Sequence, residues 1–267
     1  MPHENHNLQT QFLHFDSINA EYITDFNNLS GTPNSYNSNY KLHTTFKNVE
    51  RVYLTSLELP VGFVNVRKNS TDTLSFNVNG NNYNVVLLEK NYSTIGALIQ
   101  DLNLACIGAV PNITITFTQS ILPLRLSITL SGTGTVSSFN IIDTNLSMYM
   151  LGFRKKYDSL ISNVYTATYS NYNLNADNYL HLYLPNIPGI NASMNGGSKS
   201  TFKIPFDSVS NNVYFFQEQT SFVQYVDCRN SNFNLSLLTA VLYDRYGNII
   251  NSRGFDYSMS LKIEYRG

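Results

Sequence analysis

Phe255-Asp256-Tyr257-Ser258-Met259-Ser260-Leu261-Lys262-Ile263-Glu264-Tyr265 alternates without a break. Apolar or aromatic residues take the odd positions, and polar or charged residues take the even ones. Successive side chains of a strand point to opposite faces, so this period predicts a strand with one buried face and one wet face. Upstream, Leu235, Leu237, Thr239, Val241 and Tyr243 interleave with Asn234, Ser236, Leu238, Ala240 and Leu242. Both faces carry apolar residues there, which suits a central strand covered on both sides. Asp244-Arg245-Tyr246-Gly247-Asn248 is the loop between the two strands.

Similar runs extend outward from this pair. Tyr40–Phe46 alternates, and Val49–Leu59 follows until Pro60 stops it. Val61–Val66 is a short second run. Further strands are predicted over 164–169, 179–184, 201–206, 213–216, 222–226 and 233–243, with Pro185, Pro188 and Asn195-Gly196-Gly197 marking turns. Many short strands at regular spacing, with little helix, predict an all-β chain built as a sandwich or jelly roll.

The stretch 69–152 has a different pattern. Thr73–Val78 and Tyr83–Leu88 flank Asn79-Gly80-Asn81-Asn82, whose Asn-Gly pair signals a hairpin. Ile95, Leu98, Ile99 and Leu102 recur at helical spacing to about Ala105, with Ser93 as the expected cap. Ile113–Thr118 and Leu124–Leu130 form a second hairpin around Pro123, and Phe139–Ile142 is a short strand. Leu146–Leu151 reads as a short helix ending at Gly152. The expected organisation is an extended arm over 1–39, a jelly roll over 40–68 and 153–267, and an inserted β-β-α-β-β module over 69–152. The arm is rich in Asn and Ser turns and carries one apolar island, Phe12-Leu13-His14-Phe15. An island docking on a partner and a plain first strand are both open readings.

Composition narrows the function. Of 267 residues, 17 are Lys or Arg and 18 Asp or Glu, for a net charge of -1. Charged residues make up 13%, about half the share usual in soluble domains. There are 36 Asn, 19 Tyr and 16 Phe, but no Trp. Interface cores are depleted of Lys, Glu and Asp and enriched in aromatic residues, so a chain poor in charge reads as one whose surface is largely contact. Coding bias toward Asn, Ile, Lys, Phe and Tyr is the competing explanation, although Lys is not raised here. The near-zero net charge gives no strong nucleic-acid signal. No run of about 18 apolar residues predicts a membrane span, and the first residues lack the pattern of a secretory leader. Cys106 and Cys228 form no ligand pair and suggest a reducing compartment.

Catalytic patterns are absent. The five His have no metal-ligand spacing, and there is no G-x-S-x-G, P-loop or G-x-G-x-x-G. Glu50, Glu58, Asp244 and Asp256 lie on or beside strands, with nothing to pair them across a substrate. The expectation is no enzyme, no cofactor and no metal. Arg154-Lys155-Lys156 is the one basic cluster; it suits an acidic partner or a solvated loop. Tyr169–Asn173 and Asn191–Asn195 suit sugar stacking or ordinary Asn-rich turns. Seven N-x-S/T sequons, at Asn28, Asn69, Asn91, Asn112, Asn145, Asn191 and Asn234, are expected to go unused.

The order of segments resembles the penton-type minor capsid proteins of large eukaryotic DNA viruses and their virophage and polinton-like relatives. The resemblance rests on Val49–Pro60, on Asn91-Tyr92-Ser93-Thr94 leading to Leu102-Asn103, and on Leu151-Gly152-Phe153. It continues through Leu237–Leu242, Asp244-Arg245-Tyr246-Gly247 and Phe255–Tyr265. It spans roughly residues 15–265, and each motif is short. It implies a single jelly roll with an elaboration at 69–152, assembled as a pentamer at the icosahedral fivefold vertices of a virion made in the host cytoplasm. The implied partners are sister subunits, the major capsid protein, other minor capsid proteins and a spike or fibre protein. Phe12, Leu13 and Phe15 become the expected anchors of the arm on neighbouring subunits. A minor or cement capsid protein away from the fivefold axis, or a glycan- or receptor-binding jelly roll, are the alternative readings.

Overall fold

The alternating runs pair as antiparallel strands in the computed structural model, which describes residues 7–22, 37–60, 64–120, 124–156, 158–168, 170–174, 179–188, 192–193, 199–205, 213–217, 224–250 and 256–267. In chain order the first strands are β1 (Leu8–Asp16), β2 (Glu21–Tyr22), β3 (Asn37–Phe46) and β4 (Val49–Pro60). Then come β5 (Thr73–Val78), β6 (Asn81–Val86), helix α1 (Ile95–Cys106), β7 (Ile113–Gln119), β8 (Leu126–Gly132) and β9 (Phe139–Ile142). A π-helical turn at Leu146–Leu151 precedes β10 (Leu160–Ile161) and β11 (Val164–Thr166). The chain closes with β12 (Tyr179–Tyr183), β13 (Ala192–Ser193), β14 (Lys199–Ser200), β15 (Phe202–Pro205), β16 (Val213–Gln217), β17 (Tyr225–Asp227), β18 (Leu235–Tyr243) and β19 (Ser258–Arg266).

The chain divides into two compact units, Met1–Phe63 with Asp177–Gly267, and Val64–Ala176. In the first unit, sheet I has the order β1-β19-β4-β16, with β17 beside β16 along the same edge of β4. Sheet II has the order β15-β12-β18-β3-β2. Leaving aside the two-residue strands and counting β16 and β17 as one, eight strands remain among the described residues. Sheet I then reads first-eighth-third-sixth, and sheet II fifth-fourth-seventh-second. That interleaving is the double Greek key of a jelly roll. It follows from the period-two pattern: Met259, Leu261 and Ile263 of β19 and Leu238, Ala240 and Leu242 of β18 enter one shared core with Leu54, Leu57, Leu182 and Phe202.

The second unit has its own core, so it is an inserted body rather than a long loop. A three-stranded sheet, β6-β5-β9, and a four-stranded sheet, β10-β11-β8-β7, supply its strands. Asn79 (φ 51) and Gly80 (φ 85) form the expected tight turn between β5 and β6. Thr94, one residue past the expected Ser93, caps α1 and accepts from the Ala97 N–H. The unit spans Val64–Ala176, beyond the 69–152 range at both ends: Val66 exchanges backbone hydrogen bonds with Lys90 before it, and β11 pairs with β8 through Tyr165↔Ile128 after it. Val61–Phe63 and Pro123 lie outside the described residues.

Side-chain amides finish strand edges that the sheets leave open. Asn103 on α1 faces β7: the Phe117 N–H donates to its Oδ1 at 2.6 Å, and its Nδ2 donates to the Phe117 carbonyl at 3.1 Å. Phe117 is buried, so both backbone groups need these partners. Asn103→Ala is expected to cost about 1–3 kcal/mol in chemical denaturation, the cost of leaving buried polar groups unpaired. Asn103→Asp, which keeps the acceptor and loses the donor, should fall between Ala and the native chain. Equal stability for all three chains would show that the pair contributes nothing.

Candidate interaction surface

The outer face of sheet I is built by register. Phe12 of β1 lies opposite Lys262 of β19, Lys262 opposite Tyr53 of β4, and Tyr53 opposite Tyr225 of β17. Directly opposed residues of antiparallel strands share a face, so these four form a row across the sheet. The neighbouring row, by the same registers, is Thr10, Glu264, Arg51 and Asp227. In the first row the Lys262 ammonium lies 3.7 Å from the Tyr53 ring centroid, and the Tyr53 and Tyr225 rings are 5.3 Å apart. Phe12 is 54% and Tyr225 44% exposed at the two ends, while Tyr53 is buried beneath its neighbours.

The second row and its neighbours pair their charges, four cations (Arg51, Lys262, Arg229, Arg266) meeting three carboxylates (Glu264, Asp227, Glu50). Glu264 receives Arg51 at 3.4 Å, Lys262 at 3.6 Å and the Tyr53 hydroxyl at 3.1 Å. Arg266 pairs with Glu50, and Arg229 with Asp227. The hydrogen bond from the Arg229 side chain, with further help from its backbone N–H, holds the Asp227 carboxyl at about 2. Burial first, and the bond to Glu264 after it, push the Tyr53 phenol up, although its contact with Arg51 opposes them. Arg51 also lies 5.6 Å from the Tyr225 centroid. The face therefore presents two aromatic ends over cations and carboxylates that already have partners.

The expected anchors divide by alternation. Residues 8–16 form β1 rather than a free arm, because they pair along their whole length with β19. Phe15, 6% exposed, enters the jelly-roll core with its ring 4.9 Å from that of Tyr40. Leu13 packs at the margin of the same core. Both are taken up by their own unit, so of the three only Phe12 keeps its side chain outside. The composition gave no signal for the rest of the row: Tyr53 and Lys262 occupy the polar side of their strands' alternation, which reads as a wet face.

Arg154, Lys155 and Lys156 lie in the inserted unit, away from this row in the chain. The Arg154 guanidinium stands 5.3 Å from the Tyr149 ring centroid. The Arg154 backbone N–H donates to Asp158 Oδ2 at 2.6 Å, and the Lys155 backbone N–H donates to Asp143 Oδ1 at 3.0 Å. Lys155 and Lys156 are exposed. Of the two loops weighed as sugar sites, Tyr172 and Asn173 donate backbone N–H groups to Leu124 and Met150, both at 2.8 Å, which lays that segment on its own unit. Asn191 and Met194-Asn195 lie outside the described residues. Among the described residues no three His, Cys, Asp or Glu side chains are grouped to hold a metal. Cys106 and Cys228 are buried free thiols, and burial pushes both up to about 11.

No protein-family model matches the chain, and no curated protein matches it. Among solved structures, the chain is similar to the crystal structure of the SeMet-labeled mavirus penton protein. The TM-score is 0.43 at 13% identity, covering 96% of this chain and 100% of that one.

Proposed function

We propose that the chain is a structural capsid protein, the penton that surrounds a fivefold vertex as a pentamer. The observation that carries the reading is the outer face of sheet I, with exposed Phe12 and Tyr225 above a charge network that is already paired. Burying an unpaired charge is costly, whereas covering charges that hold one another costs far less. Such a face is suited to contact with another protein rather than to solvent. A ring of identical subunits uses two different patches per contact and closes without a free end. The jelly roll supplies flat flanks for these contacts, and the order of motifs over residues 15–265 agrees with the family that uses it so. Fold alone assigns no function, so the face and the motif order carry the argument together.

In this reading the partners are sister subunits, the major capsid protein and other minor capsid proteins. A spike or fibre protein can occupy the top of the vertex. Arg154, Lys155 and Lys156 are offered to an acidic neighbour, and Phe12 is the anchor that β1 presents. The protein works in the virion after assembly in the host cytoplasm and catalyses nothing. No helix among the described residues is long and apolar enough to cross a membrane.

The test is the assembly state. Light scattering of the purified chain is expected to give a species of five times the 30.2 kDa subunit mass. Cryo-EM of particles is expected to place it around fivefold axes. Density on another axis would favour the cement-protein alternative. A chain that stays monomeric at all concentrations and is missing from particles ends the proposal.

A further inference from the structure

His181 occupies a crowded place on the outer face of sheet II. Leu180 and Leu182 enter the jelly-roll core, so Tyr179, His181 and Tyr183 of β12 face the other way. Lys203 of β15 lies opposite His181 on one side, and Tyr243 of β18 on the other. The Tyr179 ring meets the imidazole edge-on, with centroids 5.2 Å apart. The Lys203 ammonium is 4.1 Å from the centroid of that same tyrosine, and the Arg245 guanidinium is 5.5 Å from it. Two cations, one from β15 and one from the turn after β18, thus converge on the ring that touches the imidazole. His181 is 4% exposed, so water cannot spread an added charge.

The groups around it are mostly basic. β15 contributes Lys203, and the end of β18 with its turn contributes Tyr243, Asp244 and Arg245. Asp244 is the one carboxylate acting on the imidazole among the described residues, and it also serves its own turn. It accepts from the Tyr246 N–H at 2.8 Å and the Asn248 N–H at 2.9 Å. The backbone of Lys203 is held in place as well: its N–H donates to Gln224 Oε1 at 3.1 Å, and Gln224 Nε2 donates to its carbonyl at 2.7 Å.

We propose that His181 is an acid-sensitive latch on the β12–β15 edge of the jelly roll. Its protonation adds a third cation beside Lys203 and Arg245 and loosens the pairing of β15. β15 has four residues and lies at the end of sheet II, where local opening is easiest. Burial, and after it Lys203, hold the imidazole below its ordinary value of 6.5, with Asp244 opposing them. The folded chain therefore keeps His181 neutral at a pH where the unfolded chain already binds a proton. The stability from this site is full above pH 6.5. It is lost as pH falls below that value toward the lowered folded one. The inference stands whether or not the subunit forms a ring.

Hydrogen exchange of the full chain, at about pH 7.5 and about pH 5 and corrected for intrinsic rates, tests it. Amides of 180–182 and 202–204 are expected to lose protection several-fold at the lower pH, while β7 and β8 keep theirs. His181→Gln should hold protection constant across the two conditions, and Lys203→Met should reduce the loss. Unchanged protection in the native chain, or the same loss in His181→Gln, overturns the proposal. If His181→Gln does not fold, NMR titration of the native imidazole decides. Titration below 6.5 supports the latch, and titration at or above it refutes the latch.

Discussion

Gly152→Ala is expected to unfold the inserted unit at temperatures where the jelly roll survives. Gly152 ends the π-helical turn Leu146–Leu151 in the left-handed region at φ +81, and its N–H donates to the Ser147 carbonyl. A Cβ there would lie 2.5 Å from the Ser170 carbonyl oxygen and 2.8 Å from that of Asn171. Both atoms are backbone, and that backbone is fixed, since the Asn173 N–H donates to Met150 O at 2.8 Å. The turn cannot back away either, because Leu151 and Phe153 on either side are fully buried and Phe153 packs 5.8 Å from the Tyr165 ring. Left-handed strain and a backbone clash together should cost about 3–5 kcal/mol. Gly80→Ala separates the two causes: its φ is +85, yet nothing lies within 4 Å of the added atom. It should cost only the conformational part, about 1 kcal/mol. Calorimetry and near-UV circular dichroism, which reads tyrosine in a chain without Trp, should show an early transition in Gly152→Ala alone. Equal melting of the two variants would mean that the 170–171 segment gives way freely.

Leu151-Gly152-Phe153 shows what a sequence can and cannot disclose. The end of a helical turn at Gly152 was legible from local chemistry. The reason for glycine was not, since the clashing carbonyls come from a segment almost twenty residues later whose approach no local pattern records. The same limit explains the insert boundary. Val164–Thr166 looks like any short strand, and only its register against Ser127–Thr129 assigns it to the second unit. β1 looked like an arm because its partner, β19, lies at the opposite end of the chain. Strands reveal their faces locally, but their neighbours are set by the whole fold.

Asparagine is a further case. Its abundance read as contact surface, yet six of the eight described non-glycine residues with positive φ are Asn: Asn48, Asn69, Asn79, Asn112, Asn163 and Asn232. Asn tolerates the left-handed region better than other side chains. Other amides replace strand partners: the Asn65 carboxamide bonds both the N–H and the carbonyl of Tyr92, each at 2.9 Å, as Asn103 does with Phe117. Much of the polar composition is therefore internal scaffolding. Contact is instead suited to particular residues, above all the row across sheet I.

That row sets the last expectation: Phe12→Ser with Tyr225→Ser should abolish ring assembly while leaving the subunit folded. Phe12 is more than half exposed in the isolated chain, so its truncation costs folding about 0.5 kcal/mol, and Tyr225→Ser, which also gives up the ring contact with Tyr53, costs about 1 kcal/mol, too little to unfold the subunit. In an interface both side chains would be the aromatic anchors, and truncating such a residue costs about 2 kcal/mol or more. They sit three strand spacings apart, about 14 Å, far enough for their effects to add. The double variant should then weaken association by about 4 kcal/mol, close to a thousandfold. Lys262 and Glu264 stay paired in it, so no new charge confuses the result. Leu237→Ser is the matched control, an exposed apolar residue on β18 of sheet II with 42% of its surface free. Sedimentation over a range of concentrations should show monomers for the double variant and pentamers for the control. If the control dissociates as readily, any exposed apolar side chain serves and sheet I has no special role. If the double variant still closes its ring, the contact lies elsewhere on the jelly roll, and the paired charges of β4 and β19 only stabilise the sheet that carries them.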